Sequence, residues 1–331
     1  MRLFVAFLSV AAVVLANDEE KATFQVTNYP ELTPEVLNMR YGTDSLELDD
    51  TNDLTDDLTE DSESGEEAEQ SGVRVKRAAK IPASFEIMNK TKWAACKDVF
   101  ADIQNVANCG GGWAMVVAQM ISDRRCIVYN KPKPLISSWD IISCCVNCRG
   151  SHDPKNGCRG GTVSKAMKWY QTKGVVTGGA FGEGGCKPYP LTMDDPVFPS
   201  STPCEKKCNS NYTTRSYKKD KHKAKKRFGL KTEKAIKKEI LARGSVVTTI
   251  KAYSDFGGYQ SGIYHHTTGG TTNQHTYGRI VGWGVENGVK YWKIGHVWGE
   301  TWGEQGYFRI IRGINHCEVE SRAMAVTVKK D

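Results

Sequence analysis

All eleven cysteines of this chain fall between Cys96 and Cys317. What they become depends on where the chain is made. Met1-Arg2, the apolar run Leu3 to Leu15 and the small pair Ala16-Asn17 have the charged, apolar and small-residue order of a secretory leader over residues 1–17. The run is shorter than the roughly 20 apolar residues a membrane-spanning helix needs, and no other stretch is long enough. Behind such a leader the chain is expected to be secreted and extracellular, or held in a lysosome-like compartment, with its cysteines oxidised to disulfides and one odd thiol left over. Cys144-Cys145-Val146-Asn147-Cys148 contains half of a zinc-site spacing, but no second C-x2-C and no His pair at ligand spacing completes it. No metal and no cofactor are expected.

Residues 18–77 are a different material. They hold 18 Asp and Glu against 5 Lys and Arg, with no cysteine and no tryptophan. Such a composition buries too little apolar surface to offset chain entropy, which predicts a disordered acidic propeptide. It ends in the paired-basic Arg74-Val75-Lys76-Arg77, which suits cleavage after Arg77. Residues 78–331 then keep 39 Lys and Arg against 20 Asp and Glu, a surplus of 19 positive charges. On the order of 250 residues is one domain or two closely packed lobes.

Within that domain, Cys109-Gly110-Gly111-Gly112-Trp113 opens an apolar run that reads as a helix. The first amides of such a helix point back at Gly112. A cysteine there would be poised as a thiolate beside an imidazole. Glycine offers nothing to activate. As a nucleotide loop the stretch fails, lacking the P-loop Lys-Ser/Thr and its spacing, although three glycines at a helix start also suit an anion.

Several further motifs share one source. Ile81-Pro-Ala-Ser-Phe85, Cys109 to Trp113-Ala114, Cys158-Arg-Gly-Gly161, Ile280-Val-Gly-Trp-Gly284, Tyr291-Trp292, Trp298-Gly-Glu-Thr-Trp302 and Gly306-Tyr-Phe-Arg-Ile310 together resemble the papain-like cysteine proteases. Gly185-Cys186-Lys-Pro-Tyr189, Asp220-Lys221-His222, Tyr253-Ser254-Asp255-Phe256 and His316-Cys317 are similar to the cathepsin B branch. The resemblance runs from about residue 81 to 328 and leaves residues 18–77 uncovered. It implies an α+β, disulfide-rich, papain-like two-lobe fold, with a helical left domain, a β-barrel right domain and a cleft between them. It also implies the pairs Cys96–Cys126, Cys109–Cys158, Cys144–Cys204, Cys145–Cys148 and Cys186–Cys208, with Cys317 a free thiol.

Thiol-protease chemistry needs a nucleophile, an imidazole base, an orienter for that base and oxyanion donors. By the resemblance the nucleophile position is Gly112, and the oxyanion glutamine falls on Val106. The orienting asparagine falls on His296, followed by Val297. Counting back from Arg279 puts Thr276 at the histidine position, with His275 one residue earlier. A one-residue step on a strand turns a side chain to the other face, so His275 reaches the cleft only if a bulge intervenes. The 186–204 segment, where the branch carries a histidine-bearing occluding loop, has no histidine and no internal cysteine pair. No carboxydipeptidase activity is expected.

A peptide groove lined by Trp113, Gly160 and Gly161 remains possible through backbone pairing. Arg322 stands at the position that is acidic in the S2 pocket of cathepsin B; it either faces that pocket or pairs with Glu318 or Glu320. From Arg215 to Lys238 there are twelve Lys and Arg against Asp220 and Glu233. Lys218, Lys219, Lys221, Lys223, Lys225, Lys226 and Arg227 form its densest part, read either as a solvated face or as a polyanion site for sulfated glycans or other anionic surfaces. No recognition motif for nucleic acid accompanies the charge. Asn89 and Asn211 head N-glycosylation sequons. Three functions compete: an inactive cationic binding protein, a residual or unconventional endopeptidase drawing on Cys109, His275 and His296, and a decoy for inhibitors or substrates of active relatives.

Overall fold

The computed structural model describes residues 24–26, 80–150, 153–194, 199–267 and 269–330. The leader, the acidic tract and the basic pair at Arg77 therefore lie outside the described residues. Helix α1 spans Lys97–Ala101, α2 Gly112–Tyr129, α3 Ser138–Cys144, α4 Val163–Thr172 and α5 Glu233–Arg243. The strands are β1 (Phe24–Val26), β2 (Phe85–Glu86), β3 (Ala224–Leu230), β4 (Val246–Tyr253), β5 (Tyr259–Tyr264), β6 (Thr271–Glu286), β7 (Val289–Gly295), β8 (Tyr307–Ile311) and β9 (Ala323–Val328).

The central element is α2. Every residue from Gly112 to Cys126 is buried, so this helix sits inside the protein instead of presenting one face to it. It stops at Asn130, whose left-handed conformation (φ 54°) turns its N–H onto the Cys126 and Ile127 carbonyls. Ser137 caps α3 by accepting from the Asp140 N–H, and Thr232 caps α5 by accepting from the Ala235 N–H.

The sheet runs β1-β5-β8-β7-β6-β4-β9-β3, with β2 added along β6; among the described residues only the β5–β8 pair is parallel. A closed right-hand barrel, expected from the resemblance, is not what forms. Closure would require the two ends of the path to pair, but β3 pairs with β9 and β1 with β5, leaving an open sheet. Of residues 18–77, expected to be disordered, only 24–26 are described. Residues 24–26 add to the outer edge of β5, with Gln25 opposite Ser261.

Two buried ion pairs tie α2 to its neighbours, one to a helix and one to the sheet. Arg124 of α2 meets Glu239 of α5 at 2.7 Å, and Arg279 of β6 meets Asp123 of α2 at 2.6 Å. Five disulfides complete the frame: Cys96–Cys126, Cys109–Cys158, Cys144–Cys204, Cys145–Cys148 and Cys186–Cys208. Cys317 is a buried free thiol. Among the described residues no helix is long and apolar enough to cross a membrane, and no group of three or more His, Cys, Asp or Glu is placed to hold a metal ion.

Candidate active site

Gly112 is the first residue of α2, and its surroundings are closed. A Cβ placed there would lie 3.2 Å from Cδ2 of Tyr277 and 3.3 Å from Cγ2 of Val297. The preceding turn is fixed covalently and by hydrogen bonds: Cys109 is bonded to Cys158, the Gly110 N–H donates to the Cys158 carbonyl at 2.7 Å, and the Trp113 indole donates to the Gly157 carbonyl at 3.1 Å. Val106 is fully buried and donates its backbone N–H to the Val297 carbonyl at 2.9 Å. Its own carbonyl accepts from the Tyr189 hydroxyl at 2.7 Å. The Val106 side chain brings no hydrogen-bond donor to this site.

Opposite α2, strand β6 runs in regular register with β4, pairing Thr276 with Ile250 and His275 with Lys251. The register shift lies on the other side of His275, between the pairs Lys251↔His275 and Tyr253↔Thr271. The strand's alternation is therefore intact across His275, Thr276 and Tyr277. Thr276 Oγ1 sits 2.7 Å from Nε2 of His296, and both residues are buried. His296 is walled by Phe256, Trp298, Trp302 and Phe308, with ring centroids 4.4–5.8 Å away. At the two positions where the resemblance places an imidazole and its orienting amide, the chain has a hydroxyl and an imidazole.

His275 lies with other partners. Its Nε2 is 3.9 Å from Glu318, whose carboxylate accepts from Arg322 Nε at 2.6 Å. Arg322 is thus paired at Glu318, while Glu320 accepts from the Trp292 indole and from the Gly313 and Asn315 amides. Burial pushes the His275 imidazole down from 6.5 to about 4, with Arg322 repelling its charge, Glu318 opposing and Lys251 adding repulsion. Burial, His265 and His266 lower His316 to about 4 in the same way.

A folded pKa below the unfolded one means that the unfolded chain binds more protons between the two values. The stability supplied by keeping both histidines neutral is present above pH 6.5 and is lost as pH falls towards about 4. Each histidine accounts for on the order of 1–3 kcal/mol at most. The melting temperature is expected to fall by roughly 5–10 °C across this window. Scanning His275→Gln against the parent checks it: the variant should lose less stability on acidification, and an identical pH profile would remove His275 from the account.

Tyr277 was not singled out by the sequence. Its ring comes within 3.2 Å of where a side chain on Gly112 would begin, and its hydroxyl donates to the Gly161 carbonyl at 3.1 Å. Gly160 and Gly161 are both buried, and a Cβ on Gly161 would meet the Trp113 ring at 2.5 Å. One acceptor of the expected groove is therefore held from within. Cys186 is joined to Cys208 and Cys204 to Cys144, so the 186–204 segment is not closed on itself by a disulfide.

The basic segment is not one surface. Lys221 donates to Asp140 at 2.6 Å and Arg227 is buried, whereas Lys218, Lys219, Lys223 and Lys225 are exposed and Lys226 is half-buried. Asn89 and Asn211 are exposed.

Residues 87–327 match the model of the papain family of cysteine proteases. The chain belongs to that family. It is 41% identical over 261 residues to the gut-specific cysteine proteinase of Caenorhabditis elegans, spanning 76% of this chain and 75% of that one. It is 36% identical to cathepsin B-like cysteine proteinase 1 of Ostertagia ostertagi, spanning 86% and 81%. Procathepsin B S9 from Trypanosoma congolense superposes with a TM-score of 0.66 at 30% identity, over 78% of this chain and 82% of that one. Within the papain family these relatives put the chain in the cathepsin B-like branch.

Proposed function

We propose that this papain-family chain is a secreted protein that does not hydrolyse peptides and acts as a binding or decoy protein through a cationic surface. The observation that carries the reading is Gly112 at the start of α2, packed under Tyr277 and Val297. The Thr276–His296 pair and Val106 support it, because base, orienter and oxyanion donor are replaced along with the nucleophile. The endopeptidase alternative has no comparable support: Cys109 is consumed in a disulfide and His275 Nε2 lies 3.9 Å from Glu318. Cleavage after Arg77, a mature domain over 78–331 and glycans on Asn89 and Asn211 belong to the same proposal.

The test is hydrolysis of a fluorogenic dipeptide amide by the processed protein, beside an active cathepsin B-like relative. Turnover about a million-fold lower is expected, the scale seen when a triad loses its nucleophile. Turnover that a thiol reagent abolishes would overturn the proposal.

Peptides that add as a strand at Gly161 compete with the Tyr277 hydroxyl for its carbonyl. Tyr277→Phe removes that competitor at a stability cost of about 0.5–1.5 kcal/mol. It is expected to bind an extended blocked dipeptide several-fold more tightly by calorimetry. Equal affinities would mean that the phenol does not compete.

A further inference from the structure

The last turns of α2, some 20 Å from Gly112 at about 1.5 Å per residue, border a cavity of about 340 Å³ shared with β3, β9 and the end of α5. Arg124, Lys225, Lys226 and Arg243 line it, no carboxylate does among the described residues, and Ile127 and Val326 are among its apolar walls. Consecutive strand residues normally point to opposite faces. Here the register slips between Ala224↔Val328 and Lys226↔Thr327, leaving Lys225 as the extra residue of a bulge. A bulge of that kind re-aims side chains, which accounts for two successive lysines bordering one cavity.

The guanidiniums are held in place. Arg124 donates to Glu239 at 2.7 Å and to the carbonyls of Val326 and Ser245 at 2.8 and 2.9 Å. Arg243 donates to the same Glu239 from Nε at 2.9 Å. Arg124 and Arg243 thus share the carboxylate of Glu239, and Lys225 and Lys226 border the same partly apolar space. Cations converging over an apolar floor are complementary to an anion carried on a small ring: the lysines supply point charges, the arginines, engaged by Glu239 and backbone carbonyls, supply fixed positive charge behind them, and the floor takes the ring.

We propose that this cavity binds a sulfate or phosphate monoester carried on a body of about one sugar or aromatic ring, since its volume sits at the low end of ligand sites. This rests on the anion-binding part of the function proposed above and is independent of the lost catalysis. It also narrows the polyanion site from the whole basic segment to the bulge.

Calorimetric titration of the full chain with phenyl sulfate, phenyl phosphate and inorganic sulfate tests it. Either ester should bind saturably below the millimolar range, inorganic sulfate about tenfold more weakly for want of the ring. The preferred ester tells sulfated sugars from phosphorylated compounds as the source. Lys225→Gln with Lys226→Gln should weaken ester binding about tenfold or more, while Lys218→Gln with Lys219→Gln, removing the same charge from exposed positions, should change it less than about twofold. Both double variants replace solvent-accessible lysines and should keep the parent melting temperature; if the cavity pair does not, Lys225→Gln alone carries the comparison. Equal weakening by the two pairs would reduce the effect to net charge, and no saturable ester binding in the low millimolar range would end the proposal. Loss of this binding leaves the peptidase result untouched, so the two failures are distinguishable.

Discussion

Gly112→Cys is expected to leave peptidase activity at least about ten-thousand-fold below that of an active cathepsin B-like relative, because a nucleophile without its base recovers little of a triad's rate. The new Cβ would enter at 3.2 Å from Tyr277 and 3.3 Å from Val297, a tight contact that those side chains must relieve by a few tenths of an ångström. The helix start would favour its thiolate, but the imidazolium that normally completes the ion pair is absent. Thr276 cannot act as a general base near neutral pH, and the imidazole of His296 stands one position further back, beyond the Thr276 hydroxyl. Val106 adds no oxyanion donor, a loss worth about a hundred- to a thousand-fold by itself in other acyl-transfer sites. A combined variant with Gly112→Cys, Thr276→His, His296→Asn and Val106→Gln should exceed the single one by orders of magnitude in dipeptide-amide hydrolysis, with Tyr277→Ala included to clear the space. Substantial turnover by Gly112→Cys alone would mean that His275 or His296 serves as base from its present position.

Arg279→Met should cost about 3–5 kcal/mol, the usual penalty for stripping one partner from a buried pair. Arg279 donates twice to Asp123, at 2.6 and 2.8 Å, and once each to the carbonyls of Phe100 and Asp102. Burial disfavours the guanidinium charge, and the Asp123 carboxylate outweighs it, holding Arg279 protonated. Asp123 also accepts from the Ser245 hydroxyl, so removing the arginine leaves a fully buried carboxylate with too few partners. Urea unfolding with the disulfides intact should show the loss, and the melting temperature should drop by on the order of 10 °C. Adding Asp123→Asn should recover part of it, because the uncompensated charge goes. A loss below about 1 kcal/mol would show that the pair is not what joins α2 to β6.

The sequence made some features legible for local reasons. The apolar run after Gly112 reads as a helix because a buried element needs no polar stripe, and Thr232 reads as the cap of α5 because the side-chain oxygen it offers lies next to a helical period. Ordered motifs from Ile81 to Val328 sufficed for the α+β fold and its family. What was not legible depends on distant pairing. Whether β3 closes onto β5 is decided by the edges of two strands far apart in sequence, and a composition rule cannot see that residues 24–26 borrow a backbone partner from β5. Arg322 had two plausible partners in sequence, and the fold places it on Glu318. Tyr277 carried no signal at all: its hydroxyl meets Gly161, 116 positions away. Lys225 looked like one charge among twelve until the bulge re-aimed it.

The central claim is that no thiol acts at the start of α2. Intact-mass analysis of the processed, natively folded protein after exposure to an epoxide that alkylates protease cysteines tests it most directly. Cys109 is in a disulfide, and burial, with Asp255 and Glu318 adding, pushes the remaining Cys317 thiol up to about 12. No adduct is expected on the native protein, and one, at Cys317, after denaturation without reduction. A native adduct mapped to Cys109, accompanied by loss of dipeptide hydrolysis, would contradict it.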